Sequence, residues 1–424
     1  MKYFLCIFAA TILFGSSLLA DEPAGQSGIS FPKTDWPFWR GPGSNGHADP
    51  AQQPPVSWSD SENVLWKTPV PGRGHGSPIV VGTRVFLTVA DEARKVHSVV
   101  AFDRASGKQV WESVVHRDGF KFKGRLNKKA SLASSTPACD GTRLFVNFLN
   151  GKDATTSAID FNGKVLWQTK LSGYVVHQGY GSSPVIYKDL VIAAADNKSG
   201  GAIVAMNRES GKIVWKKNRP KNPNYPTPIV INAAGRDQLV LTGCGLVTSL
   251  EPATGKVIWE MKGATTECVT TTVSDGNIVL SSGGYPRNHM AAYRVDGSKE
   301  VVWENSNRMY VPSVVISNGH IFGVLDAGIA ICIRCSDGKE MWKQRLGGTF
   351  SSSAVLVGEM VYVTSEDGTT HVFRANPKKF VSVAKSKLGD EVFATPAIVG
   401  GRCYNRVAHR DGDKRQEYLY CLGK

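Results

Sequence analysis

The sequence predicts an all-β fold, an eight-bladed β-propeller of four-stranded blades. A Gly-Lys-x-x-Trp phrase occurs five times in the 424 residues. Tryptophans also recur at intervals of 39 to 56 residues, and a Ser/Thr-Pro pair opens an apolar run in most of the intervening units. A β-rich unit repeated every ~40–45 residues is typical of a propeller, with one blade per repeat. The recurring tryptophans are Trp66, Trp111, Trp167, Trp215, Trp259, Trp303 and Trp342.

Each unit shows the same order of elements. A short polar turn follows the first strand, a third strand runs into Asp or Asn and the Gly-Lys turn, and the tryptophan lies on the fourth strand. Glycine suits that turn because it adopts positive φ without strain. Alternating apolar residues and the lack of long 3.6-residue periods predict strands and no helix after residue 20. The opening pairs are Ser77-Pro78, Thr136-Pro137, Ser183-Pro184, Thr227-Pro228 and Thr395-Pro396.

The ring is expected to close through its two ends. Eight units begin near residues 77, 135, 182, 226, 268, 311, 350 and 393. The last unit ends without its Gly-Lys-x-x-Trp strand, while a spare strand of that type, Asn63–Lys67, precedes the first unit. We therefore expect the N-terminal strand to complete the last blade, which leaves no open edge. Seven blades are the alternative, because the fifth and seventh units are degraded.

The N-terminus has the pattern of an export signal. Lys2 precedes a mostly apolar stretch that is too short for a convincing membrane span, and acidic residues follow Ala20. We assign residues 1–20 to a signal peptide, 21–62 to a lead segment with loose polar parts, and 63–424 to the propeller. The expected location is the periplasm or the exterior of a bacterial envelope, with no transmembrane segment.

Charge and cysteine content suggest two further features. Removing residues 1–20 deletes one charge, Lys2, so the net charge of +14 becomes +13. The basic residues are spread along the chain and do not indicate nucleic acid; only the stretch 116–129 is dense. Cys403 and Cys421 lie at equal distances from Gly412. A hairpin centred there would place the two cysteines opposite each other, within reach of a disulfide.

The repeated motifs resemble those of a known superfamily. The Ser/Thr-Pro opening, the Asp-x-x-Ser/Thr-Gly-Lys-x-x-Trp close and the Trp-Arg-Gly-Pro lead at residues 39–42 are similar to exported bacterial PQQ-like (quinoprotein-like) β-propeller proteins. These include quinoprotein alcohol dehydrogenases and BamB, the propeller subunit of the outer-membrane β-barrel assembly machinery. The resemblance supports the fold and implies that the tryptophans dock neighbouring blades. The residues expected to do so are Trp111, Trp167, Trp215, Trp259, Trp303 and Trp342.

The dehydrogenase alternative lacks its expected parts. The resemblance would imply PQQ held with Ca²⁺, a disulfide between adjacent cysteines and a Glu/Asn/Asp calcium set. The chain has no Cys-Cys dipeptide, and Cys332 and Cys335 have an odd offset on a predicted strand, so their side chains should face opposite ways. No histidine has a partner at metal-ligand spacing. We expect no catalytic residue, no metal and no cofactor, and keep the quinoprotein enzyme as the alternative.

A binding scaffold is the favoured function. Residues just before each first strand should surround one mouth of the central channel, and they are rich in tyrosine and arginine, which dominate recognition surfaces. An exported protein or peptide is the expected partner. The resemblance implies a role in envelope protein assembly, and binding of an anionic polysaccharide at residues 116–129 is another alternative. The candidate funnel residues are His75, His177, Tyr180, Tyr225, Glu267, Arg287, His289, Arg308, Tyr310 and Phe350.

Overall fold

The computed structural model describes residues 29–424, and the proposed signal peptide lies outside this range. The described residues form strands, turns and bends, with no helix. Two strands precede the blades, β1 (His47–Ala48) and β2 (Val64–Val70). In the described part of the chain, no helix has the length and apolar character needed to cross a membrane.

The remaining strands, β3 to β33, form the blades in sequence order. Blades 1 to 4 consist of β3 (Ile79–Val81), β4 (Arg84–Asp91), β5 (Val96–Asp103) and β6 (Gln109–Arg117); β7 (Ala138–Cys139), β8 (Arg143–Asn150), β9 (Asp153–Asp160) and β10 (Val165–Gly173); β11 (Val185–Tyr187), β12 (Leu190–Ala194), β13 (Ala202–Asn207) and β14 (Ile213–Asn218); and β15 (Ile229–Ala233), β16 (Arg236–Gly243), β17 (Leu246–Leu250) and β18 (Val257–Lys262).

Blades 5 to 8 repeat the arrangement, except that the last blade borrows its fourth strand from the N-terminus. They consist of β19 (Val273–Ser274), β20 (Ile278–Gly283), β21 (His289–Arg294) and β22 (Val301–Asn305); β23 (Val315–Ser317), β24 (His320–Leu325), β25 (Ile329–Arg334) and β26 (Glu340–Arg345); β27 (Val355–Val357), β28 (Met360–Thr364), β29 (Thr369–Arg374) and β30 (Ser382–Lys387); and β31 (Ala397–Val399), β32 (Arg402–Asp411) and β33 (Lys414–Leu422) with β2.

The structure confirms eight blades and the predicted closure of the ring. Strand β2 pairs antiparallel with β33, with Val64 opposite Leu422 and Val70 opposite Glu417. Every blade therefore has four antiparallel strands, to which blade 7 adds β1 as a fifth, parallel strand, and the seven-blade alternative is wrong. The core is formed by apolar side chains packed between successive blades, such as Ile192 and Leu241 of blades 3 and 4, which are buried in one cluster.

The described part of the lead segment, residues 29–62, is more ordered than its polar composition suggested. Trp36 makes a two-way backbone bridge with Val80 of blade 1, and β1 adds a parallel strand to β27 of blade 7. Arg40 is 1% exposed and donates to the Val314 carbonyl of blade 6. The segment is held because its aromatic rings and its arginine are buried against several blades, where they offset the entropy of ordering the polar residues between them.

The hairpin that closes the chain corrects the disulfide prediction. Both Cys403 and Cys421 are buried free thiols. In the β32–β33 pair, Cys403 lies opposite Leu422 and Cys421 lies opposite Tyr404, because the turn is centred between Gly412 and Asp413. This register differs by one residue from the one expected, and a one-residue shift moves a side chain to the other face of a sheet. The two cysteines therefore do not face each other.

Candidate functional site

The centre of the propeller is bounded by a ring of hydroxyl side chains. Each belongs to the residue two positions before an innermost strand, and in seven places the hydroxyl accepts the backbone N–H of the equivalent residue in the preceding blade at 2.9–3.0 Å. The Ser/Thr-Pro motif thus supplies a side chain that links blades. The hydroxyl ring consists of Ser77, Thr136, Ser183, Thr227, Thr271, Ser313, Ser353 and Thr395.

Trp39 of the lead segment reaches this ring at its exceptional position. The Thr271 hydroxyl has no such bond from Thr227 N–H among the described residues, and it accepts the Trp39 indole N–H at 2.8 Å. The Trp39 side chain lines the central cavity and also a narrow gap at the first strands of blades 3 and 4. A residue from outside the repeats therefore closes the inner end of the central channel.

Above Trp39 the funnel contains a cavity of about 600 Å³. This volume falls within the ~300–1,000 Å³ usual for small-ligand pockets. The walls come from the segments that lead into the innermost strands, as the sequence predicted for the mouth of the channel. Among the side chains that line it are Trp39, His75, Asn127, Lys129, Gln178, Tyr180, Tyr225, Arg308, Tyr310, Asp326 and Phe393.

One histidine lines the cavity, and its ring nitrogens already have partners. The His75 ring stacks on Phe393, with 4.2 Å between ring centroids. Its Nδ1 lies 3.1 Å from the Lys129 carbonyl oxygen, to which it donates, and its Nε2 lies 3.5 Å from Arg73 Nη2. Burial, with the nearby Arg73 charge, holds the pKa of His75 well below its usual value. A neutral histidine without a hydroxyl or thiol partner is not arranged as the base of a nucleophile.

Two tyrosines differ in how their hydroxyl groups are used. The Tyr310 hydroxyl donates to Glu267 Oε2 at 3.1 Å. Tyr225 is 8% exposed, and its buried hydroxyl donates to no acceptor among the described residues, although the Gln178 backbone lies close to its oxygen. Burial raises the pKa of Tyr225, which keeps it a neutral donor. Since a buried donor without an acceptor is unfavourable, the Tyr225 hydroxyl is a candidate contact for a bound group.

Some charged side chains of the cavity have an ion-pair or hydrogen-bond partner, and Arg308 has neither. Lys129 forms an ion pair with Glu366 at 2.6 Å. Asp326 accepts the Tyr310 backbone N–H at 2.7 Å, and burial raises the pKa of its carboxyl group. The Arg308 guanidinium lies 5.7 Å from the centre of the Tyr310 ring. Within residues 29–424 this exposed guanidinium has no ion pair and no hydrogen bond, so its donors are available.

The structure brings seven of the ten predicted funnel residues together and places three elsewhere. His75, Tyr180, Tyr225, Arg308 and Tyr310 line the cavity. Just behind its wall, the predicted His177 and Glu267 form a pair with 2.9 Å between Nε2 and Oε1. The Glu267 carboxylate is 4% exposed and therefore supports the wall through Tyr310.

Arg287, His289 and Phe350 are not cavity residues. Arg287 and His289 belong to the β20–β21 hairpin, one strand farther from the axis, where both lie near Glu304 at 3.4 and 3.3 Å. Phe350 is fully buried between blades 6 and 7, while its neighbours Thr349 and Ser351 line the cavity. Side chains alternate in an extended segment, so the prediction at Phe350 chose the wrong face.

Sequence reasoning missed several lining residues. The sequence identifies Trp39 only as part of the Trp-Arg-Gly-Pro lead at residues 39–42, and nothing in the repeats links it to the channel. Asn127 and Lys129 belong to the basic stretch, which folds back so that Asn127 N–H donates to the Gln178 carbonyl at 2.7 Å. Asp326 follows a second strand and resembles a turn residue. These residues reach the cavity through contacts between distant parts of the sequence, and no local motif predicts those contacts.

The recurrent tryptophans lie between blades and outside the cavity. In six of seven, the indole N–H donates to a backbone carbonyl of the next blade at 2.7–3.2 Å. Trp259 differs, because its N–H donates to Gln238 Oε1 within its own blade at 2.8 Å. The Gly-Lys turn glycine of the next blade lies directly against the ring; a Cβ added to Gly211 would be 2.5 Å from Trp167. This contact explains why the turn residue and the tryptophan recur together.

The cavity does not match the quinone and calcium set of the dehydrogenase alternative. Its lining includes one carboxylate, Asp326, and no cysteine. Within residues 29–424, no group of three or more His, Cys, Asp or Glu side chains is arranged to hold a metal ion. Cys332 and Cys335 are both buried, and neither lies at the cavity. Of the Glu/Asn/Asp calcium set, the lining holds Asn127 and Asp326 and no glutamate, and it has no pair of adjacent cysteines.

Comparison with solved structures supports the fold. A europium-containing methanol dehydrogenase superposes with a TM-score of 0.66 at 12% identity, covering 93% of this chain and 98% of that one. BamB from Moraxella catarrhalis superposes with a TM-score of 0.59 at 13% identity, covering 84% and 96%. At such identities the likeness concerns architecture alone.

Sequence comparison adds the family. Tetrathionate hydrolase of Acidithiobacillus ferrooxidans is 23% identical over 71% of this chain, and the match spans 65% of the hydrolase, less than two thirds of its length. BamB of Burkholderia pseudomallei is 24% identical over 78% of this chain and 81% of that protein. The profile of the family described as outer membrane protein assembly factor BamB matches residues 55–117, 95–344 and 312–379. The chain belongs to this family of PQQ-like β-propeller proteins.

Proposed function

We propose that this chain is an exported, non-enzymatic scaffold that holds a segment of a protein partner at its funnel, in the service of envelope protein assembly. The observation that carries the proposal is the cavity of about 600 Å³, closed at its inner end by Trp39 and lined by aromatic and polar side chains. The family and the BamB relatives support the process, and export follows from the N-terminal pattern.

Binding agrees with the chemistry of the lining better than catalysis does. Tyrosine gives a large contact area with few rotamers to restrict, and arginine gives several directional donors, which is why both dominate recognition sites. His75 is engaged by Arg73 and the Lys129 carbonyl, so it does not activate a hydroxyl group. The volume admits a few side chains or a chain end, which means that a partner would insert a segment while its bulk stays outside.

Site-specific photo-crosslinking in the native envelope tests the proposal. A photoreactive residue at Lys128, beside the cavity, is expected to crosslink to a polypeptide, and one at Val214, exposed on the outermost strand of blade 3, is not. Equal crosslinking at the two positions, or none at Lys128, would contradict binding at the funnel.

Titration of the purified protein with PQQ, with and without Ca²⁺, examines the enzyme alternative. Calcium-dependent stoichiometric uptake of PQQ, followed by dye-linked alcohol oxidation, would show that the protein is a quinoprotein dehydrogenase and would contradict the scaffold proposal. We expect neither uptake nor oxidation, and we expect the crosslink at Lys128 to survive a chelator.

A further inference from the structure

The basic stretch of the sequence lies at the rim of the cavity. We call residues 118–130 the mouth loop. Its backbone is fixed against the cavity wall, since Val176 N–H donates to the Lys123 carbonyl at 2.9 Å and Asn127 N–H donates to the Gln178 carbonyl at 2.7 Å. The Asn127 side chain adds a bond to Gln178 Oε1 at 2.7 Å. The loop is therefore a built part of the site.

The cations of the mouth loop are mostly free. Lys121, Lys123, Arg125 and Lys128 are all exposed, and in the part of the chain that the structure describes none has an ion pair or a side-chain hydrogen bond. Only Lys129 has a carboxylate partner, Glu366. Four unpaired positive charges within eight residues produce a local potential that attracts anions, and proximity to the low-dielectric cavity strengthens it.

Free donors continue from the mouth into the cavity. Arg308 lies over the Tyr310 ring with its guanidinium unpaired, and the buried Tyr225 hydroxyl, whose oxygen lies near the Gln178 backbone, donates to no acceptor among the described residues. The carboxylates nearby are already engaged: Glu366 accepts Lys129 and the Ser351 hydroxyl at 2.6 Å each, and Asp326 accepts the Tyr310 N–H. The mouth loop and cavity thus carry more unpaired cationic donors than carboxylates, and the one carboxylate of the lining, Asp326, lies within the influence of Arg308 and Lys129.

Resting on the proposed function, we propose that the funnel selects an acidic polypeptide segment. A carboxylate of this segment is bound by Arg308 and Tyr225, an adjacent side chain fills the aromatic cavity above Trp39, and further acidic residues cross the mouth loop. Arginine suits this role because its planar donors match a carboxylate, and aromatic walls suit the side chain beside it. Acidic polysaccharide shares the charge but offers no apolar side chain for the cavity.

Fluorescence anisotropy with defined probes tests the proposal. The probes are a labelled octapeptide of alternating Glu and Tyr, the same peptide with Gln in place of Glu, and an oligogalacturonate of equal charge. We expect the Glu peptide to bind at least about tenfold more tightly than the Gln peptide, because a hydrogen bond to a charged group corresponds to about 10–100-fold in affinity. Its affinity should fall as salt is added, since exposed charges are screened.

Matched variants locate the contact. Arg308→Ala should weaken the Glu peptide about tenfold or more, while Arg236→Ala, at an exposed arginine beyond the other end of an innermost strand, should leave it unchanged. Tyr225→Phe removes a hydroxyl that donates to no acceptor among the described residues, so it should weaken binding about threefold to tenfold with little loss of stability. Tyr418→Phe, at a half-buried tyrosine of β33 outside the cavity, is its control.

The outcomes separate the proposal from the function on which it rests. Equal binding of the Glu and Gln peptides, no effect of Arg308→Ala, or no binding of either peptide at millimolar concentration would overturn the acidic preference. If the photo-crosslink at Lys128 persisted in that case, the funnel would still bind a protein of other chemistry. Tighter binding of oligogalacturonate than of the Glu peptide would overturn the choice of a polypeptide.

Discussion

Replacing Gly211 by alanine should weaken the contact between blades 2 and 3, and the loss can be measured as a change in the free energy of unfolding. Gly211 has φ +71°, and a Cβ built on it would lie 2.5 Å from Trp167 Cδ2. Gly235 has nearly the same conformation, φ +75°, with no atom within 4 Å of an added Cβ. The two substitutions share the backbone strain, and only the first meets the docking tryptophan.

The expected magnitudes follow from these two effects. A left-handed backbone costs an L-residue about 1–2 kcal/mol, which should be the whole effect of Gly235→Ala. Overpacking of a well-filled contact adds about 1–3 kcal/mol, so Gly211→Ala should lower the free energy of unfolding by about 2–5 kcal/mol. Replacing Trp167 by leucine should remove the clash, so the double variant with Gly211→Ala should lose less than the sum of the single losses.

Urea unfolding followed by tryptophan fluorescence measures these free energies, provided that circular dichroism gives a coincident transition. Equal losses for Gly211→Ala and Gly235→Ala would refute the docking argument, because the strain of positive φ would then explain both. Additive losses in the double variant would refute it as well, since they would show that the alanine methyl group does not meet the Trp167 ring.

Three further predictions concern pH, thiols and a buried ion pair. Burial, helped by the charge of His116, lowers the pKa of His97 from 6.5 to about 3, so the unfolded chain takes up a proton below pH 6.5 that the folded chain refuses. The stability that neutral His97 contributes is then complete above pH 6.5 and falls by about 1.4 kcal/mol per pH unit, or about 2 kcal/mol by pH 5. Because burial also lowers the pKa of His47, His75 and His116, His97→Phe should reduce the acid slope in urea titrations by about this share, and an unchanged slope would be evidence against it. Alkylation of the unfolded protein without reductant should modify Cys403 and Cys421, because both are free thiols. Modification only after reduction would show instead that the two cysteines form a disulfide. Arg219→Met should cost about 3–5 kcal/mol because it strands the buried Asp196 carboxylate, 3.2 Å from Arg219 Nε, and adding Asp196→Asn should recover part of the loss in the same assay; no recovery would point to packing instead.

The fold could be predicted because its signals are local and repeated. The Gly-Lys turn requires a positive φ beside a tryptophan, and the Ser/Thr-Pro opening supplies an acceptor to the preceding blade, so each motif recurs in five of the eight blades. Ring closure was predictable for the same reason, since the unmatched strand at Trp66 had one place to go. Register was harder: the β32–β33 turn could shift by one residue without altering the alternation pattern, and only tertiary packing selects the face of Cys403.

The site was predictable in part. Position along a blade identified His75, Tyr225 and Tyr310, because the segment before an innermost strand always lies near the axis. It did not distinguish Phe350, whose ring points between blades, from its lining neighbours. Trp39 could not be placed at all, because its contact with Thr271 joins residues 232 positions apart and belongs to no repeat.

The pairing of β2 with β33 imposes an order on folding. Val64 pairs with Leu422, 358 residues later, so the eighth blade gains its outer strand only when both strands are available. Loop-closure entropy grows only slowly with such a separation, but contacts this distant in sequence make folding slow. Blades 1 to 7 do not need β33, so they can form before the eighth blade is complete, and the unfinished blade then exposes an unpaired edge. Deletion of β33 would consequently leave β2 without its partner and the ring without the strand that joins its two ends.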